Sequence, residues 1–195
     1  SGLDGTDGVV FASEEGSGNL GLSAAAIGDV NDDGVGDMAF ASRSALYVVY
    51  GTESPADLPA LSDLDGANGF VIEGQFSGIA GRPAVFAAGD VNGDGFGDFA
   101  FSDASKGVVM LGNSDRQPPT LEVDDIAFDG RGFETELGGI PVAAGDFDGD
   151  GLSDVAFAFE GGGGGDAVIT FDALADDSLD GATGPVIGVV LGDAT

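Results

Sequence analysis

A nonapeptide rich in Asp and Gly occurs three times in the 195-residue chain and constrains its fold more than any other feature. The copies cover residues 29–37, 90–98 and 146–154, so they recur at nearly equal intervals. Each has Asp or Asn at positions 1, 3, 5 and 9 and Gly at position 6. Oxygen ligands at alternate positions, with a Gly that permits a sharp turn, suit a hard cation that needs six to eight oxygens from a short loop.

The pattern predicts three Ca²⁺ sites, one in each loop. The predicted ligands are the side chains at positions 1, 3, 5 and 9 and the backbone carbonyl at position 7. They are Asp29, Asn31, Asp33, Val35 and Asp37 in the first loop, Asp90, Asn92, Asp94, Phe96 and Asp98 in the second, and Asp146, Asp148, Asp150, Leu152 and Asp154 in the third. Loops of Asp, Asn and Gly also form ordinary turns without metal, but three copies in one register favour calcium.

The residues after each loop predict strands and exclude an EF-hand. An EF-hand has a bidentate Glu at position 12 and a helix on either side. Position 12 is Phe40, Phe101 and Phe157 in the three copies. Large apolar residues alternate after position 9, which is the periodicity of a strand. Each loop is therefore predicted to join the two strands of a β-hairpin.

Composition excludes several classes of function. The chain has no Cys and no His, which rules out Ser-His, Cys-His and zinc-site chemistry. Thirty-five acidic against five basic residues give a net charge of −30, so nucleic acid and anionic membranes are not expected partners. No apolar run reaches the roughly 18 residues of a membrane-spanning helix.

The spacing of predicted strands indicates an all-β fold in one domain, residues 1–195, with three four-stranded repeats at about 14–74, 75–130 and 131–192. A period of about 60 residues with four strands matches a β-propeller blade. An extra N-terminal strand is predicted within residues 1–13, at Val9–Ser13. The fourth strands of the repeats are predicted at residues 69–74, 125–130 and 184–192.

Residues 89–101, followed by an apolar stretch at 107–112, resemble an FG-GAP repeat. This repeat is the calcium-binding blade of integrin alpha-chain propellers and of many secreted bacterial proteins. The resemblance implies propeller blades, calcium ligands at the positions given above, and a secreted, extracellular protein. The name motif is altered, since Phe-Gly is replaced by Leu20-Gly21 and Leu137-Gly138 and is missing from the second repeat.

Three blades do not make a closed ring, because propellers have about four to eight. Three blades alone would leave an open apolar face on the first repeat and another on the third, and such faces and unpaired strand edges favour association. We therefore expect a homo-oligomer or homopolymer, either a six-bladed ring of two chains or a filament, with the N-terminal strand added to a neighbour's sheet. The alternative is a fragment of a longer propeller.

The function that these features predict is that of an acidic, calcium-binding structural or adhesive protein without enzymatic activity. One alternative is an integrin-like head that binds a protein or carbohydrate ligand. Another is a carbohydrate-active enzyme, since paired carboxylates cleave glycosidic bonds. The loops account for nearly all the patterned acids, however, and a chain with no Trp and two Tyr offers little aromatic surface for sugars.

Overall fold

The computed structural model describes residues 8–12, 19–76, 83–103, 106–128, 130–135, 140–147, 149, 151–161 and 164–170. Over these residues the protein is all-β, as the sequence predicts. The strands are β1 (Ser23–Gly28), β2 (Asp37–Ala41), β3 (Ala45–Val49), β4 (Gly69–Glu73), β5 (Val85–Gly89), β6 (Asp98–Ser102), β7 (Gly107–Met110), β8 (Thr120–Glu122), β9 (Gly132–Thr135), β10 (Ile140–Gly145), β11 (Asp154–Gly161) and β12 (Gly164–Thr170). Helical structure in this part of the chain is limited to short turns at Pro55–Asp57, Leu61–Asp63 and Asp125–Phe128.

The strands form three sheets that follow the three repeats. Their orders are β1-β2-β3-β4-β8, β5-β6-β7-β9 and β10-β11-β12. Strands of the same repeat that lie next to each other in a sheet pair antiparallel. Over the described residues the three sheets do not close into a barrel, and the arrangement is an incomplete, propeller-like β fold. The predicted fourth strand of the third repeat, residues 184–192, lies outside the described residues.

One strand crosses between repeats. Strand β8 follows β7 in the chain but pairs in parallel with β4 of the first sheet, with Leu121 opposite Ile72. Its burial alternates, because Thr120 and Glu122 are exposed while Leu121 is buried. The second repeat therefore supplies the fifth strand of the first sheet and covers the edge that β4 would otherwise expose.

Two sequence-based strand predictions are wrong. Residues 125–130 do not form the fourth strand of the second repeat, because Asp125–Phe128 turns into a helix and buries Ile126 completely. The strand begins at Gly132, where a Cβ would lie 2.0 Å from the Val109 carbonyl oxygen, so only glycine allows this close pairing. The extra N-terminal strand is also not formed at residues 8–12, where Val10 is 65% exposed.

The core lies mainly between sheets. Ile27, Leu46 and Phe70 of the first sheet pack with Phe99 and Met110 of the second. A smaller cluster of Ala88, Val91, Ala100, Val109 and Val155 lies where the second repeat meets the third. The first strands of neighbouring sheets also contact one another, β1 with β5 and β5 with β10. Each loop thereby comes to lie beside the next.

The outer face of the first sheet is covered by the chain itself. Val49 packs there with Leu61 and Leu64 from the segment that contains the 3₁₀ turns. From the N-terminal side, Phe11 packs on Phe40 with 4.7 Å between ring centroids. The expectation of an open apolar face on the first repeat is therefore wrong, because these side chains occupy it.

No helix within the described ranges is long and apolar enough to cross a membrane.

Candidate metal centre

Each Asp-rich loop joins the first and second strands of a sheet, as the sequence predicts: β1 to β2, β5 to β6 and β10 to β11. The turn into the first two loops depends on the glycine that ends the preceding strand. Gly28 and Gly89 have φ values of +88° and +82°, which disfavour any other residue. The pairing register shifts just before each of them. This irregularity starts both loops in the same orientation relative to their sheets.

Hydrogen bonds turn the side-chain oxygens of the first loop towards its backbone. The Asp33 N–H donates to Oδ1 of Asp29 and to Oδ1 of Asn31, both at 3.1 Å. The Gly34 N–H donates to Oδ2 of Asp29 at 2.8 Å. The Val35 N–H donates to Oδ1 of Asp33 at 2.8 Å. The predicted ligands at positions 1, 3 and 5 therefore lie around one short turn of backbone.

The second loop repeats this pattern. The Asp94 N–H donates to Oδ1 of Asp90 at 3.2 Å and to Oδ1 of Asn92 at 3.1 Å. The Gly95 N–H donates to Oδ2 of Asp90, and the Phe96 N–H donates to Oδ1 of Asp94, both at 2.9 Å. Each of these bonds has a counterpart of nearly the same length in the first loop. The same sequence pattern thus gives the same local structure in two repeats.

The third loop shares several hydrogen bonds with the other two loops. The Gly149 and Gly151 N–H groups donate to Oδ1 and Oδ2 of Asp146 at 2.5 and 3.1 Å. The Phe147 N–H donates to Oδ2 of Asp154 at 2.7 Å. The predicted ligands Asp148 and Asp150 lie outside the described residues.

The ninth-position Asp has a structural role that the sequence pattern did not reveal. Asp37 accepts hydrogen bonds from the Val30 N–H at 2.8 Å and the Gly51 N–H at 2.7 Å. Asp98 makes the same pair of bonds, to the Val91 and Gly112 N–H groups, both at 2.8 Å. Each carboxylate therefore ties its loop to the end of the third strand of its sheet. A Gly 14 residues after the Asp is the available sequence signal.

These carboxylates are buried, and this perturbs their acidity. Asp37 and Asp98 are 1% and 0% exposed. Burial raises the pKa of Asp37 to about 6, with smaller contributions from the charges of Asp33 and Asp29. Burial likewise raises the pKa of Asp98 to about 7, with Asp94 and Asp90 adding to the effect. Three carboxylates thus repel one another at each of the first two loops, which is the electrostatic situation that a bound cation relieves.

The described residues do not bring three or more acidic side chains into one metal-binding group. Oxygens at positions 1 and 3 approach the same N–H, whereas the ninth-position carboxylate bonds to other backbone groups. The position-7 residues Val35, Phe96 and Leu152 lie half-buried beside them. The fit of a cation therefore rests on the donor set. It consists only of oxygens, as Ca²⁺ prefers, and each carboxylate oxygen retains lone-pair capacity beyond its N–H bond.

No protein-family model and no curated protein matches the chain. The resemblance to FG-GAP repeats therefore depends on the residues of the loops and on the strands that flank them.

Proposed function

We propose that this chain is a secreted, calcium-binding structural or adhesive protein of the FG-GAP type, without enzymatic activity, in which each of the three loops binds one Ca²⁺. The observation that carries the proposal is the recurrence of one hydrogen-bonding pattern in loops that also share one ligand pattern. The recurring hydrogen bonds hold the oxygens of positions 1, 3 and 5 around the same short turn in both loops, in the order that a Ca²⁺-binding loop requires. A shared ligand accounts for both the side chains and their arrangement.

The charges of the loops support the proposal. Asp37 and Asp98 are buried next to further carboxylates, and their raised pKa values mean that the folded protein disfavours their ionised forms. Lys106 pairs with Asp124 and Arg116 pairs with Asp65, and neither of these ion pairs involves a residue of the three loops. A divalent cation would offset the repulsion, so binding would stabilise the fold, by about 2.7 kcal/mol for a site at a hundred times its Kd.

Isothermal titration calorimetry tests the proposal, with Ca²⁺ added to protein from which a chelator has removed calcium. Asp94→Ala removes a predicted ligand of the second loop, and we expect it to abolish the binding heat of that site. Asp115→Ala is the matched control, because Asp115 is an exposed acid in another loop and is held there by hydrogen bonds of its backbone N–H and carbonyl. Equal titrations of the parent chain, Asp94→Ala and Asp115→Ala would show that the loop does not bind calcium.

We also propose that the chain associates with further copies, and one exposed side chain supports this. Val30 and Val91, at position 2 of the first two loops, are 4% and 3% exposed because the next repeat packs on them. Phe147 occupies the same position in the third loop and is 48% exposed. Among the described residues, the surface around Phe147 therefore lacks the neighbour that its counterparts have. Because the first sheet is covered by its own chain, the association would use the third-repeat end.

Sedimentation velocity in calcium tests the association. We expect Phe147→Asp to shift the population towards the monomer. Ala56→Asp is the control, because Ala56 is an exposed apolar residue in the 3₁₀ turn Pro55–Asp57, outside both the N-terminal segment and the third repeat. A parent chain that sediments as a 19.1 kDa monomer at all accessible concentrations would contradict self-association.

A further inference from the structure

The three loops are joined by backbone hydrogen bonds in a constant register. The Gly97 N–H of the second loop donates to the Asp29 carbonyl of the first at 2.8 Å. The Ser153 N–H of the third loop donates to the Asp90 carbonyl of the second at 2.9 Å. In both cases position 8 of one loop bonds to position 1 of the loop before it. The contact is therefore a property of the repeat.

The peptide units in this contact also carry the predicted ligands. The N–H of Gly97 belongs to the same peptide unit as the carbonyl of Phe96, the position-7 ligand of the second loop. The carbonyl of Asp29 belongs to the same peptide unit as the N–H of Val30, which donates to Oδ2 of Asp37 at 2.8 Å. Two hydrogen bonds and two planar peptides thus connect the backbone ligand of the second loop to the ninth-position Asp of the first.

The third and second loops are connected in the same way. The peptide unit of Leu152 and Ser153 bonds to the peptide unit of Asp90 and Val91, and the Val91 N–H donates to Oδ2 of Asp98 at 2.8 Å. We call this connection the loop-to-loop relay. Hydrogen bonds in such a chain polarise one another, so a stronger donor at one end strengthens the next bond.

The chain is closely packed at both junctions of the relay. A Cβ on Gly97 would lie 3.0 Å from the Asp29 carbonyl oxygen and 3.2 Å from its nitrogen. At the other junction, a Cβ on Gly89 would lie 2.2 Å from Oγ of Ser153. Gly36 is the position-8 residue of the first of the three loops, and a Cβ there would meet nothing within 4 Å.

We propose that the three loops bind calcium cooperatively, because the relay joins the backbone ligand of each loop to the ninth-position Asp of the loop before it. This inference rests on the proposed function. The Phe96–Gly97 peptide becomes a stronger N–H donor when its carbonyl serves as a ligand. The bond from the Val30 N–H to Asp37 then strengthens in turn and holds that carboxylate in place. By linkage, occupancy of the first loop raises the affinity of the second by the same factor.

The test follows each loop separately by NMR of the ¹⁵N-labelled full chain during a calcium titration. The Gly34 and Gly95 amides report the first two loops, since each donates to the first-position Asp of its own loop. Disabling the second loop with Asp94→Ala is expected to raise the calcium midpoint at Gly34 about fivefold or more, the lower end of typical coupling between sites.

A matched pair of methyl additions then tests the relay itself. Gly97→Ala pushes the Asp29 backbone away from the relay, whereas Gly36→Ala adds the same methyl group into open space. We expect the effect of Asp94→Ala on the Gly34 midpoint to disappear in the Gly97→Ala background and to persist in the Gly36→Ala background. If Gly97→Ala does not fold, the comparison of Asp94→Ala with the parent chain still decides whether the loops are coupled.

A Gly34 midpoint that Asp94→Ala leaves unchanged would overturn cooperativity while leaving calcium binding intact. Equal coupling in the two alanine backgrounds would overturn the relay as its route. The absence of any calcium-dependent shift at Gly34 and Gly95 would overturn the proposed function, and the cooperativity with it.

Discussion

Removing the Asp98 carboxylate should flatten the pH dependence of stability in the calcium-free protein. Burial raises the pKa of Asp98 to about 7 from the ordinary 3.8 of an exposed Asp. Between these two values the folded chain holds a proton that the unfolded chain has released. Stability therefore falls as pH rises through this window and levels off above about pH 7.

The magnitude follows from the size of the window. Between pH 5 and pH 8, the part of the range that lies below the folded pKa of Asp98 runs from pH 5 to about pH 7 and spans about two pH units. Over these two units the stability falls by about 3 kcal/mol. Burial raises the pKa of Asp37 to about 6, which adds about 1 kcal/mol over the same range. The Asp98→Asn side chain does not titrate, so the variant should lose about 3 kcal/mol less than the parent chain between pH 5 and pH 8.

Urea unfolding in a chelator at pH 5 and pH 8 provides the measurement. Asp115→Asn is the control, since it removes one exposed acidic charge and leaves both buried carboxylates in place. The two variants share the effect of a less negative chain, so their difference isolates the buried group. The reasoning fails if Asp98→Asn and Asp115→Asn lose the same stability as the parent chain between the two pH values.

Three further predictions concern the third loop, a turn and the crossing strand. Asp150→Ala should remove the tightest calcium-binding step, because the third loop has four carboxylates where the others have three, and an unchanged titration would refute this. Gly66→Ala should lower the free energy of unfolding by about 1–3 kcal/mol more than Gly21→Ala in urea unfolding. Both glycines have φ near +85°, but only at Gly66 does a Cβ come within 1.9 Å of a backbone oxygen, so equal losses would contradict the packing. Leu121→Ala should lower the free energy of unfolding by about 2–4 kcal/mol in the same assay, and the exposed control Thr120→Ala by under about 0.5 kcal/mol. Similar losses for both variants would argue against the parallel pairing of β8.

Local sequence patterns predicted the hairpins well. Alternation of apolar residues after each loop placed β2 at Asp37 and β6 at Asp98, where the structure begins both strands. The glycine at position 6 of each loop takes a positive φ, as the ligand pattern requires. Such features depend on residues that are close in the chain, so the sequence carries them directly.

The long-range features could not be read in this way. Strand β8 is short, and its partner β4 belongs to the preceding repeat. Local periodicity of the sequence therefore does not predict their pairing. The helical turn at residues 125–128 and the cover of Leu61 and Leu64 on the first sheet depend on apolar surfaces that exist only after the sheets pack. The second hydrogen bond of Asp37, to the Gly51 N–H, requires the third strand to return beside the loop.

The most direct test of calcium binding is the number of calcium ions that the chain retains. A chelator first removes calcium from the protein. Native mass spectrometry before and after calcium is added back then measures this number for each chain. We expect no bound ion after chelation and three per chain after calcium is restored, one for each Asp-rich loop. A chain that binds no calcium, or that binds it equally well when Asp29, Asp90 and Asp146 are replaced by Ala, would contradict calcium binding by the loops.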